Sequence, residues 1–138
     1  MNLQQYQQIA SQYGQVLVRI DEGRCGQSWS VGHVTSTDGA QIWIGLYPER
    51  DEDIRDISFF HELAHVAWPV ESMQHCTDKF DVEAFIWAKT FGLAAAHSVH
   101  PTAKTVEWAI NNVRSYVGYS RSCGNEYAEC PRCVKKAS

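Results

Sequence analysis

His61-Glu62-Leu63-Ala64-His65 is the stretch that decides how the rest of this chain is read. On a helix, residues four apart lie one turn apart on the same face, so two imidazoles stand side by side with the Glu62 carboxylate next to them. Two neutral ring nitrogens so placed can hold one Zn²⁺, and the glutamate reaches a water on the metal without becoming a ligand itself. Zinc brings such a water to a pKa of about 7, and Glu62 can then take its proton as the oxygen attacks a carbonyl. Five residues are a short match, so the flanks must support a helix. Asp51, Glu52 and Asp53 suit a helix N-terminus, Ile54, Ile57, His61, Ala64, His65 and Trp68 follow at helical spacing, and Pro69 stops the run.

Outward from the motif, each segment carries its own signal. Leu3, Tyr6, Ala10 and Tyr13 recur at helical spacing before Gly14 and predict a helix over 2–13. Short apolar runs at 15–21, 28–35 and 40–47 predict three strands. Ser36-Thr37-Asp38-Gly39 has the turn chemistry to join the last two as a hairpin. In the third strand Ile42, Ile44 and Leu46 alternate with Trp43 and Gly45, which assigns one face to the core. A loop over 69–77 leads to a helix from Asp78 to His97, with Phe80, Ala84, Trp87, Phe91 and Ala95 as its apolar stripe. Pro101 opens a final helix whose stripe of Val106, Ile110, Val113 and Val117 ends at Gly118. The expected architecture is a single α+β domain over 1–118, a small antiparallel sheet packed on helices that include the motif helix. Residues 119–138 follow as a cysteine-containing tail.

Catalytic zinc takes three protein ligands and keeps one position open, so a third ligand must be found. Glu83 stands 18 residues after His65, on or beside the apolar stripe of the next helix. A carboxylate facing a core is costly unless paired, and a metal compensates it. The alternatives are His75, in the loop before that helix, and a plain ion pair of Glu83 with Lys79. Asp78 fits a helix cap and Asp81 points away from Glu83's face. A donor for the developing oxyanion is to be sought among Tyr116, Tyr119, His97 and His100.

Composition narrows the class further. With 138 residues and 44% hydrophobic content the chain can bury a real core but not two lobes around a deep cleft. A net charge of −4, with no basic patch beyond Lys135-Lys136, argues against direct nucleic-acid binding. Met1-Asn2-Leu3-Gln4-Gln5 has neither the cationic start nor the apolar core of a secretory signal. No apolar run reaches bilayer length either, so a cytoplasmic protein away from the membrane is expected. Five cysteines, an odd number, fit poorly with a disulfide framework and leave Cys25 and Cys76 as thiols. Cys123, Cys130 and Cys133 in the tail admit a second, structural zinc site, a redox pair or free thiols.

A strand, a helix bearing His61-Glu62-Leu63-Ala64-His65, and then Glu83-Ala84 with Trp87-Ala88 resembles the ImmA/IrrE-type metallopeptidases of the gluzincin group. Their pattern is HExxH, a short connection, then E-A-x-x-aromatic-A. The resemblance covers roughly residues 40 to 92. It implies a minimal zincin-like fold, zinc on His61, His65 and Glu83, and Glu62 as general base and acid. It also implies a protein or peptide substrate, such as a regulatory protein, received along the strand at 40–47 as an edge strand. The chain has no helix-turn-helix segment to match that family's regulatory context. A weaker resemblance, carried by His75, Phe80 and Cys130-Pro131-Arg132-Cys133, is to SprT-like proteases with three histidine ligands and a zinc ribbon, but the second cysteine pair of a ribbon is missing. A different class of function is a zinc-stabilised protein-binding module, a phage or mobile-element regulator or inhibitor that keeps the fold as a scaffold.

Overall fold

The computed structural model describes residues 1–20, 31–36, 39–44, 51–69 and 79–117. The chain opens with helix α1 (Leu3–Ala10), started by a reciprocal cap. The Asn2 side chain accepts from Gln5 N at 2.9 Å while Gln5 Oε1 accepts from Asn2 N at 2.8 Å. A single 3-10 turn, Ser11–Tyr13, extends it to Gly14, whose φ of 124° ends the helical path where the glycine signal lies.

Three strands follow: β1 (Val16–Ile20), β2 (Val31–Ser36) and β3 (Gly39–Ile44), in the order β1-β3-β2. β2 and β3 form the expected antiparallel pair, with Ser36 opposite Gly39 and Val31 opposite Ile44. β1, however, runs parallel to β3, with Val16 opposite Ala40 and Ile20 opposite Ile44. The sheet is therefore mixed rather than antiparallel, and β3 is its central strand rather than an edge. The physical reason lies at Gly39, where Ala40 N donates to Gln15 O at 2.9 Å. Gly39 has φ 128°, and a Cβ there would stand 2.6 Å from Gln15 O. Only glycine lets the two strand starts come this close. Ala40, Ile42 and Ile44 are buried in alternation along β3, joined by Val16 and Val18 of β1. On the outer rim of β1 the Gln7 amide acts as a substitute strand: its Nε2 donates to Val16 O and its Oε1 accepts from Val18 N, both at 2.8 Å.

Helix α2 (Glu52–Ala67) carries the motif. Asp51 caps it by accepting from Asp53 N at 2.8 Å, and Trp68, held out of the helical region by the proline that follows, closes it. An amphipathic stripe was expected, but Ile57 through Ala64 are all buried. α2 packs against β2 and β3, touches α1 where Tyr6 meets Phe59 at 4.7 Å, and has a long helix along its length. The middle of a helix enclosed in this way has no solvent face to mark with polar residues.

That long helix is α3 (Lys79–Ala96), and a shorter α4 (Ala103–Arg114) packs across it. The buried face of α3 is Val82, Glu83, Ile86, Trp87, Thr90, Leu93 and Ala94. Of the expected stripe, only Trp87 belongs to it; Ala95 is exposed. Because α3 is apolar nearly all round, periodicity does not single out one face, whereas Glu83 and Thr90, two turns apart, find their polar partners on α2. α4 differs from expectation as well: Thr105 and Ala109 are buried, while Ile110 and Val117 are 44% and 68% exposed. Thr102 caps α4, and its backbone N and hydroxyl donate to Asp53 Oδ2 at 3.0 and 3.1 Å, with the Thr105 hydroxyl donating to the same oxygen. Asp53 thus turns α4 so that Thr105 faces inward. Among the described residues no helix is long and apolar enough to cross a membrane.

Two predictions follow from these contacts. Gly39→Ala should lower stability by about 1–3 kcal/mol, since it combines a disfavoured φ with a backbone clash. A urea midpoint equal to wild type would contradict the close approach. At Asp53, burial pushes the carboxyl up, but hydrogen bonds from Thr105 and Thr102 outweigh it and leave the group below the ordinary aspartate value. A lowered folded pKa means stability that is present above the unfolded value and lost as pH falls through the folded one. Asp53→Asn should therefore cost about 1–2 kcal/mol at neutral pH. The gap should close in acid below the ordinary aspartate range, as denaturation curves at the two pH values can check.

Candidate metal centre

α2 holds His61 and His65 one turn apart with their rings edge to face, centroids 4.8 Å apart, and their Nε2 atoms 3.2 Å from each other. From α3, Glu83 Oε2 lies 3.2 Å from His61 Nε2, and Glu83 Oε1 lies 3.6 Å from His65 Nε2. Three ligand-bearing groups from two helices therefore converge, all within 4.8 Å of one another, and form a cluster able to hold a metal ion. Metal–ligand bonds of about 2.05 Å in tetrahedral array set their donor atoms about 3.3 Å apart, close to the 3.2 Å between the two Nε2 atoms and between His61 Nε2 and Glu83 Oε2. The donor chemistry agrees: ring nitrogens that each carry a lone pair repel at this distance unless a proton or a cation lies between them.

Burial sharpens the electrostatics. Glu83 is 3% exposed, His61 is 8% exposed, and the His65 side chain is also mostly covered. Burial alone would raise the Glu83 carboxyl, but the hydrogen bond from His61 and the charges of His61, His65 and Lys79 overcome it and hold the group down at about 2. The Lys79 ammonium stands 3.4 Å from Glu83 Oε1 and 5.5 Å over the Tyr116 ring. Glu83 therefore satisfies both partners weighed from the sequence, the lysine one turn before it and the two imidazoles across the helix interface.

His61 is further held by α3. The Trp87 indole stacks on its ring at 4.1 Å with 26° between planes, and Thr90 Oγ1 lies 3.3 Å from its Nδ1. Trp87 is itself pinned by α4, donating from Nε1 to Asn112 Oδ1 at 3.2 Å and meeting Trp108 edge-on. Sequence reading passed over Thr90 and the roles of Trp87 and Asn112. The signal was available in part: a threonine seven residues after Glu83 in an apolar helix lies on the same face.

The remaining candidates separate clearly. Glu62 is buried on α2 at 8% exposure and stays outside the cluster of ligand atoms. Asp81 is exposed, away from Glu83's face. His97 lies at the far end of α3, 2.8 Å from the Tyr13 hydroxyl and stacked on Phe60, and His100 is exposed. Of the four donor candidates, Tyr116 is brought near the cluster, through Lys79. His75, Asp78, Tyr119, Leu46, Cys25, Cys76 and the tail cysteines Cys123, Cys130 and Cys133 lie outside the described residues. No protein-family model, curated protein or solved structure matches the chain.

If these three side chains are the ligands, Glu83→Ala should abolish one-to-one metal binding while His75→Ala leaves it intact. Elemental analysis after dialysis against a weak chelator would read this directly, and the opposite pattern would move the third ligand to His75.

Proposed function

We propose that this chain is a zinc-dependent peptidase with a minimal zincin-like fold, its ion held by His61, His65 and Glu83 and its general base supplied by Glu62. The observation that carries the reading is the convergence of two Nε2 atoms and one carboxylate within 4.8 Å of one another, with a further buried carboxylate next to His61 in the chain. Imidazole with one carboxylate suits zinc, and three protein ligands leave the fourth position for chemistry. A zinc ion bound there would polarise the scissile carbonyl and acidify a water. Glu62, a carboxylate outside the ligand set, accepts the proton of that water and passes it to the leaving amine nitrogen. Lys79, at the rim beside Glu83, supplies positive charge near the oxygen of the substrate carbonyl, with Tyr116 beneath it.

The substrate class is an extended segment of a protein, and the resemblance to ImmA/IrrE-type peptidases points to a regulatory one. Strand addition gives such a segment affinity through main-chain hydrogen bonds. Among the described residues β3 is paired on both sides and the rim of β1 is held by Gln7, so within that sheet this role falls to β2, which packs against the motif helix. A cytoplasmic setting belongs to the same proposal.

The decisive variant is Glu62→Gln. It should bind zinc like the wild type and lose cleavage of a labelled unfolded casein by about 10²–10⁴-fold. Cleavage at the wild-type rate would remove Glu62 as the base. A variant that neither cleaves nor loses its biological effect would favour the zinc-stabilised binding module instead.

A further inference from the structure

Thr90 is fully buried in the middle of α3, where a hydroxyl is costly without partners and a β-branched side chain brings no gain in helix propensity. Its Oγ1 has two neighbours. It donates to Ile86 O, one turn back, at 2.8 Å, and it lies 3.3 Å from His61 Nδ1. A hydroxyl has one proton and two lone pairs. With the proton committed to Ile86 O, the contact with His61 requires the imidazole to donate, so Nδ1 carries a hydrogen. Nε2, which donates to Glu83 in the ion-free site, is then the nitrogen left to offer a lone pair to a metal between Glu83 and His65. The Trp87 indole, held by Asn112, lies across the same ring and limits its rotation.

We propose that Thr90 is a positioning residue that fixes His61 in the Nδ1–H tautomer and so aims Nε2 into the cluster as a metal donor. The inference rests on the metal-site reading above and adds to it the group that prepares the first ligand. A backbone carbonyl or carboxylate commonly does this for a metal-binding histidine, and here a hydroxyl polarised by a helix carbonyl takes that place. The other tautomer would put an N–H into the cluster in place of a lone pair, and Thr90 would have to give up Ile86 O to serve it.

The test compares Thr90→Val, which keeps the shape and removes the hydroxyl, with Thr90→Ser, which keeps the hydroxyl and removes a methyl. Zinc dissociation constants come from competition with a chromophoric chelator. Long-range ¹H–¹⁵N spectra of the metal-free chain report, without any metal, whether His61 Nδ1 carries a hydrogen. The expected result is Nδ1–H in wild type and Thr90→Ser, a mixture of tautomers in Thr90→Val, and zinc binding weakened about 10- to 100-fold in Thr90→Val alone. Equal zinc affinity in wild type and Thr90→Val would overturn the inference, as would equal losses in Val and Ser, which would show a packing role. An Nε2–H tautomer in the wild type would overturn it too. A wild-type chain that binds no zinc but shows Nδ1–H held by Thr90 would instead strike the metal reading and leave the hydrogen bond standing.

Discussion

A carboxylate buried to 3% exposure among the apolar side chains of a helix interface is the constraint on which this structure turns. Glu83 cannot be left unpaired there, because desolvation of a charge costs more than packing around it returns. Its partners stand on two sides, Lys79 on its own helix and His61 with His65 on α2. The pairing fixes the rotation of α3 about its axis and its register along α2. Phe59, Phe60, Leu63, Val82, Ile86 and Ala94 then fill the core around it.

The sheet holds α2 from the opposite direction. Ile42 and Ile44 of the central strand are essentially fully buried, and they belong to one apolar cluster with Ile57, Phe60 and Leu63 of α2. Because β3 is paired on both sides, it is braced more firmly than an edge strand would be. The motif helix therefore lies between a fixed strand and a helix whose orientation is set by charge, and the histidines have little freedom to splay. A site for a small ion benefits directly, since a preformed set of donors needs no rearrangement to bind it.

Local signals were legible from sequence and non-local ones were not. Asp51 and Pro69 mark the ends of α2 because a cap and a breaker act within one turn, and the alternation in β3 shows because it belongs to one strand. Glu83 stood out as a charge within an apolar run. The parallel pairing of β1 with β3 depends instead on Gly39 meeting Gln15, 24 positions away in the chain, and no periodicity encodes that. The face of α3 was misjudged because apolar residues lie on most of its circumference, and the orientations of α3 and α4 follow single polar contacts: Glu83 and Thr90 with α2, and Thr105 with Asp53.

These polar contacts join into one chain of support. Asp53 at the start of α2 gathers the first turn of α4. Two turns along from Thr105, Asn112 holds the Trp87 indole, which stacks on His61 back on α2. The path leaves the motif helix near its N-terminus and returns to it at the first histidine, through two other helices. Contacts that orient helices and contacts that aim a ligand are therefore the same contacts here. A small domain has too little buried surface to maintain a rigid scaffold and a separate site. Building the site from the helix-orienting contacts lets one set of hydrogen bonds serve both, and it makes the geometry at His61 sensitive to side chains on α4 that never touch it.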